Sequence, residues 1–516
     1  MESMSDQNLY DFLKRGFPVD PQAPCMILPG GAVLTYGMLD EESARFANLL
    51  TALGVTPGDR VAVQVKKSPR ALFLYLGSLR AGAVYLPMND AYLAHEVEYF
   101  LADAQPKLFV CRPAARAMAD RAAAKASVSH VLELGDDGEG SLADKAFAQP
   151  AHFPQSLGGG DDLAAILYTS GTTGRSKGAM LSHRNLAVNA EVLHRQWGFR
   201  PDDVLLHMLP IFHVHGLFVA THCLLLSGGR MFFEPKFDAR RALALLPGAT
   251  MFMGVPTYYA RLVLEPELTR DLCSKMRLFV SGSAPLSIET FDRFEALTGH
   301  TILERYGMTE GGMFCSNPLE GQRRAATVGF PLEGVSVRVA AQNCQPLSAG
   351  QIGEVQVKGD NIFRSYWRLP EKTKEEFTPD GFFKTGDMGK WDADGYLTIV
   401  GRSRDMVITG GLNVYPSEVE AIIDTLPGVY ESAVIGVAHP DFGEAVTAVV
   451  VRSSDEQGAA LTESAVIDFV KKTLANFKVP KKVHFVTELP RNSMGKVQKN
   501  ILRDKYGPHS AIGCKL

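Results

Sequence analysis

Between Tyr168 and Met180 the chain reads Tyr168-Thr-Ser-Gly-Thr-Thr-Gly-Arg-Ser-Lys-Gly-Ala-Met180, which packs glycines, hydroxyls and one lysine into a turn-prone loop. Such a loop can cradle polyphosphate. Gly171, Gly174 and Gly178 tolerate backbone angles that other residues resist, so main-chain N–H groups can converge on an anion. Thr169, Ser170, Thr172, Thr173 and Lys177 add hydroxyl and ammonium donors. The preceding run, Leu163 to Tyr168, reads as a short buried strand. Counted from Gly171, Ser176 stands where a Walker A loop has its second glycine, and Gly178 where it has the Mg²⁺-binding hydroxyl. The Walker reading fails, so a metal must find its carboxylate elsewhere. By composition alone, a solvated Ser/Gly linker is the alternative.

Four further motifs follow: Glu304-Arg-Tyr-Gly-Met-Thr-Glu310, Lys384-Thr-Gly-Asp387, Gly401-Arg-Ser-Arg-Asp405 and Pro490-Arg-Asn-Ser-Met-Gly-Lys496. In order and spacing the five resemble the adenylate-forming superfamily of acyl-CoA synthetases, luciferases and peptide-synthetase adenylation domains, over Leu34 to Arg503. Within it, Ile211-Phe-His-Val-His-Gly-Leu217, Gly254-Val-Pro-Thr-Tyr-Tyr-Ala-Arg261 and Val280-Ser-Gly-Ser-Ala-Pro-Leu286 are most similar to the malonyl-CoA synthetases. The resemblance implies ATP, Mg²⁺ and coenzyme A as cofactors. The implied reaction joins malonate or methylmalonate to CoA through an acyl-adenylate, releasing AMP and pyrophosphate.

Activating a carboxylate with ATP brings two anions together, so cations and dipoles must neutralise charge while holding the reactants in line. Glu310 is the candidate Mg²⁺ ligand, since that ion takes one or two hard oxygens from protein and the rest from phosphate and water. By residue type, a helix-capping role beside Thr309 is equally open. The resemblance gives Thr309, Glu310, Lys496 and His213 catalytic roles. Lys496, otherwise an ordinary solvated lysine, becomes the mobile ammonium bridging carboxylate and α-phosphate. Glu304, Arg305, Tyr306, Gly307, Gly282 and Ser283 surround the nucleotide, with Tyr306 offering its face to adenine. Asp387, which could merely cap a turn, accepts from the ribose hydroxyls, and Arg402 completes that clamp. In a second half-reaction the small domain rotates about Arg404, withdrawing Lys496 and presenting Gly410 and Gly411 to pantetheine. His213 is then a wall between half-reactions, a weak base or a structural histidine.

The substrate pocket is expected around Ser281, Ser283, His213 and Arg261. The resemblance implies that the segment holding Arg261 borders the acyl pocket, where a guanidinium suits a second carboxylate; its alternative is an outward-facing position on an amphipathic helix. The two glycines of Glu310-Gly-Gly-Met313 would widen the pocket for a branched malonate or a longer diacid. Other readings are an acyl-CoA synthetase for another short or medium-chain carboxylate, a stand-alone enzyme loading a carrier protein, and a non-catalytic adenylate binder. No pantetheine-bearing serine motif follows Lys496, which favours free CoA. Lys496, Glu310 and Asp387 together argue against a dead enzyme.

These residues must be positioned by a chain of 516 residues with 46% hydrophobic and 21% charged content, too long for one ordinary core. Tyr36–Leu50 is helical in spacing, Arg60–Val65 alternates as a strand, Ala71–Ala81 is a buried helix and Ala83–Pro87 another strand. That alternation predicts α/β sheets in a large N-terminal domain, residues 1–402. The Asp394-Gly395 turn makes a hairpin, and residues 403–516 read as a small, mobile α+β cap domain carrying Lys496. A net charge of -4 disfavours nucleic acid and anionic membrane, and no run reaches the length of a membrane span. Seven scattered cysteines without a C-x-x-C pair argue against a disulfide framework or structural zinc site. A cytoplasmic enzyme of small-molecule substrates is expected, with no obligate protein partner; the terminal Cys514-Lys-Leu516 offers a peroxisomal alternative.

Overall fold

The computed structural model describes residues 7–169, 176–409, 412–439, 443–474, 476–492 and 495–507. Ser170, Gly171, Thr172, Thr173, Gly174, Gly410, Gly411 and the Cys514-Lys-Leu516 terminus lie outside them, as does the side chain of Arg404. The chain divides into two compact units, residues 1–337 with 357–383, and residues 338–356 with 384–516. This packing division differs from a boundary at Arg402 because Phe383–Trp391 and Leu397–Arg402 pair as neighbours in a sheet with Gly353–Lys358.

In the first unit, among the described residues, seven strands run in the order Ser365–Tyr366, Lys177–Ser182, Leu163–Thr169, Val84–Pro87, Arg60–Gln64, Leu108–Cys111 and His130–Glu133. From Leu163–Thr169 to His130–Glu133 the strands run parallel, and burial of the central ones explains near-continuous apolar strands such as Leu108-Phe-Val-Cys111. Thr35 caps the Tyr36–Ala52 helix by accepting from Met38 N at 3.2 Å. Ser68 and Pro69 start Pro69–Arg80, which is buried almost throughout.

A second sheet of nine strands places Phe330–Pro331, Gly312–Ser316, Leu303–Met308, Leu278–Ser281, Met251–Gly254 and Val204–His207 side by side, followed by Arg230–Phe233, Pro24–Ile27 and Val33–Thr35. Its core is Leu206, Phe252, Tyr259, Phe279, Phe291 and Phe294, from strands and covering helices alike. Burying five such aromatic rings fixes the carboxyl ends of Met251–Gly254 and Leu278–Ser281, the place where open α/β sheets bind ligands. The second unit holds a five-stranded sheet with Val429–His439 and Gly443–Arg452 as its long antiparallel pair, covered by Pro416–Ile423 and Glu463–Thr473. A large α/β unit and a small α+β unit are thus what the sequence led one to expect. Among the described residues no helix is long and apolar enough to cross a membrane.

Candidate active site

The strand expected at Leu163–Tyr168 extends to Thr169 and returns as Lys177–Ser182, with Thr169 opposite Lys177. The Gly/Ser/Thr segment therefore joins two hydrogen-bonded strands. Lys177 is 6% exposed, and its ammonium is 3.1 Å from Glu376 Oε1. Glu310, 4% exposed, sits in the turn between the antiparallel strands Leu303–Met308 and Gly312–Ser316. No helix begins there, so the helix-capping alternative is removed. Its Oε1 accepts from the Tyr366 hydroxyl at 2.9 Å and from Thr169 Oγ1 at 3.4 Å.

The glycines after Glu310 border only a small cavity of about 10 Å³, room for about one water, rather than the widened pocket expected. Gly312 has φ +67°, and a Cβ there would lie 2.3 Å from Asn189 Oδ1; at Gly311 it would lie 2.6 Å from the Phe314 ring. Asn189 occupies the space, holding Met313 by its N–H at 3.1 Å and its carbonyl at 3.0 Å. Gly312 serves a tight left-handed turn. Tyr306 is half-buried, edge-on to Phe314 at 5.7 Å between ring centres.

Arg305 is buried to 4% exposure, and its guanidinium packs on Gly282, where a Cβ would stand 2.4 Å from Cζ. Its Nη2 reaches the Ser283 hydroxyl at 3.5 Å, and that hydroxyl lies 3.5 Å from His215 Nδ1. Ser283 itself has φ +73°, a left-handed conformation that costs a serine roughly 1 kcal/mol. Arg305 Nε, His215 Nε2 and Ser281 Oγ are buried with no hydrogen-bond partner, and among the described residues no carboxylate pairs with Arg305. Burial lowers the Arg305 pKa to about 9, while burial and the nearby Arg305 hold His215 well below its ordinary value. A desolvated cation with unsatisfied neighbours is what an anion-binding subsite requires.

Glu304, the next residue along the strand, does not supply that anion. Strand neighbours face opposite sides, and burial raises its carboxyl to about 8. Arg261 is exposed on the Pro256–Leu262 helix, where its charge acts on Tyr258, while Tyr259 of that helix donates to Val280 O at 2.7 Å. His213 is half-buried and its Nδ1 accepts from His215 N at 3.3 Å. Cys315, also buried, has its thiol pushed far up by desolvation.

In the second unit, Asp387 and Arg402 face each other across neighbouring strands, with Nε 3.1 Å from Oδ1. The loop bearing Lys496 is closed by Asn492, whose N–H reaches Lys496 O at 2.9 Å and whose Oδ1 accepts from Lys496 N at 3.0 Å. Arg491, paired with Glu431, also donates to Gly495 O at 2.5 Å. Lys499 pairs with Glu420 at 2.6 Å, so the residues flanking Lys496 are tied to the sheet and to Pro416–Ile423. Arg404 lies in the single turn Ser403–Asp405.

Residues 14–367 match the AMP-binding enzyme family, and residues 418–496 match the AMP-binding enzyme C-terminal domain. The chain belongs to the AMP-binding enzyme family. It is similar to ATP-bound MatB from Rhodopseudomonas palustris, with 53% identity, 97% of this chain and 99% of that chain covered, and a TM-score of 0.94. A mitochondrial malonate–CoA ligase of Mus musculus is 36% identical over 514 residues, 92% of this chain and 87% of that protein. A feruloyl-CoA synthase of a Streptomyces species is 34% identical over 509 residues, 98% of this chain and 100% of that protein.

Three features of this AMP-binding enzyme escaped the sequence. His215, two residues beyond His213, is the buried member of the pair. The sequence places Arg305 only among the residues around the nucleotide, and no local pattern marks its packing against the Ser281–Ser283 segment. Tyr366 and Glu376 lie far from the phosphate loop in sequence, and no local pattern marks them.

Proposed function

We propose that this enzyme ligates malonate to coenzyme A through a malonyl-adenylate, releasing AMP and pyrophosphate. The likeness to a malonate–CoA ligase supports the acid, but a feruloyl-CoA synthase is nearly as similar, so the pocket must carry the argument. The deciding observation is Arg305, a buried guanidinium without an anion, beside Ser283 and His215. A dicarboxylate brings the missing charge, and its other carboxylate remains to be activated. A monocarboxylate leaves the guanidinium buried and unpaired, a penalty of a few kcal/mol.

The residues divide the work by chemistry. The segment from Thr169 to Ser176 surrounds the phosphates with N–H and hydroxyl donors, Tyr306 and Gly282 flank adenine, and Asp387 with Arg402 holds the ribose. Glu310 fits Mg²⁺, being a buried hard-oxygen ligand whose Oε1 is fixed by two hydroxyls. The ion would offset charge on the phosphates. Lys496 stabilises charge gathering at the α-phosphorus as the carboxylate attacks. CoA thiolate then displaces AMP, a leaving group good enough to need no dedicated base. Residues 403–516 move about Arg404 between the two steps, bringing Gly410 and Gly411 to pantetheine, and His213 closes the site between them.

The test is direct. With ATP and CoA, malonate should yield malonyl-CoA, AMP and pyrophosphate, methylmalonate should react more slowly, and butyrate and ferulate should be poor. A preference for butyrate or ferulate over malonate would reject the dicarboxylate reading.

A further inference from the structure

We propose that Tyr366 is a positioning residue for the Glu310 carboxylate, and that Lys177 belongs to this same assembly and makes no phosphate contact. This rests on the reading of Glu310 as the metal-facing carboxylate.

Tyr366 is 3% exposed, and its hydroxyl donates to Glu310 Oε1 at 2.9 Å. The backbone of Glu310 is held by the same stretch of chain, since Phe363 N donates to Glu310 O at 2.7 Å. Tyr366 is itself anchored three ways. Ser365–Tyr366 pairs antiparallel with Met180 and Ala179, Tyr366 N donates to Thr373 Oγ1 at 3.0 Å, and its ring meets Phe363 edge-on at 4.7 Å. Both ends of the 170–175 segment thus converge on one carboxylate. Thr169 touches it directly at 3.4 Å, and Lys177 acts through Tyr366, with Nζ lying 4.3 Å from the ring centre.

The Lys177 ammonium is already neutralised by Glu376 at 3.1 Å, with side-chain exposures of 7% and 22%. Turning it toward phosphate would break that pair and leave the half-buried Glu376 with Lys372, 3.4 Å from the same oxygen. A cation over a phenol ring draws electron density from it and makes the O–H a stronger donor. The tyrosine hydroxyl then fixes a glutamate that would otherwise lose rotamer freedom each time it engaged a cation. Groups that orient a metal's carboxylate from behind typically change metal affinity about 10–100-fold when removed.

Tyr366→Phe removes only the hydroxyl. Titrating ATP binding by calorimetry across a Mg²⁺ series should show a rise of about tenfold in the Mg²⁺ needed for half-maximal affinity. ATP binding without Mg²⁺, the thermal midpoint and the thioester rate from preformed malonyl-adenylate should stay at wild-type values. Lys177→Met should reproduce the Mg²⁺ shift and likewise spare metal-free ATP binding; a loss there would make Lys177 a phosphate donor and reject its assigned role. An unchanged Mg²⁺ dependence in Tyr366→Phe, when Glu310→Gln does change it, overturns the positioning role. No change in either variant overturns the Glu310 assignment and the positioning role with it.

Discussion

The guanidinium of Arg305 and the hydroxyl of Ser283 stand 3.5 Å apart, at the limit of hydrogen-bond reach, with the guanidinium almost wholly buried. The pair leaves most of the cation's donors for a ligand. Arg305→Met should therefore lower kcat/KM for malonate by roughly 10² or more, the cost of leaving a substrate carboxylate desolvated and unpaired. Butyrate should suffer little or improve, because it no longer has to bury an unpaired charge. Both substrates are to be compared on both proteins at saturating ATP and CoA. An unchanged malonate-to-butyrate ratio removes Arg305 from substrate recognition.

Arg261 offers the second guanidinium, but in water. Charge pairs open to solvent are worth up to about 1 kcal/mol, so Arg261→Leu should reduce malonate kcat/KM by at most about fivefold. A loss matching that of Arg305→Met would transfer the anchoring role to Arg261.

Lys496→Ala separates the two half-reactions. Pyrophosphate exchange should fall by at least roughly 10², the worth of one well-placed electrostatic donor, while conversion of preformed malonyl-adenylate to malonyl-CoA is spared. Equal losses in both steps would place Lys496 outside the adenylation chemistry.

The sequence made the architecture legible where structure is local. Thr35 and Ser68 cap the helices they precede, the Asp394-Gly395 turn closes its hairpin with Gly395 at φ +85°, and Asp387 meets Arg402 because paired strands bring them together. It was less legible where burial changes a residue's meaning. Arg261 and Arg305 are the same residue type, and only packing distinguishes the exposed one from the one laid against Gly282. Lys177 read as a donor to phosphate, yet Glu376, distant in sequence, pairs with it. Gly311 and Gly312 suggested space, and Phe314 beside the first and Asn189, more than a hundred residues earlier in the chain, beside the second leave only a small cavity.

Glu304 yields a prediction about stability. Burial raises its carboxyl from 4.5 to about 8, with the backbone N–H groups of Ala326, at 3.2 Å, and Leu286 pulling the other way. Between those values the folded protein holds a proton that the unfolded chain has released. The stabilisation is complete below about pH 4.5 and declines as pH rises toward about 8, by at most about 1.4 kcal/mol per pH unit from this group. Glu304→Gln keeps the shape and cannot ionise, so its unfolding free energy should lose that downward slope. Denaturant titrations of both proteins at intervals from pH 5 to 9 measure the difference. The gap should widen in favour of the glutamine variant as pH rises and level off above about pH 8; parallel curves would show that the carboxyl is ionised in the folded protein throughout.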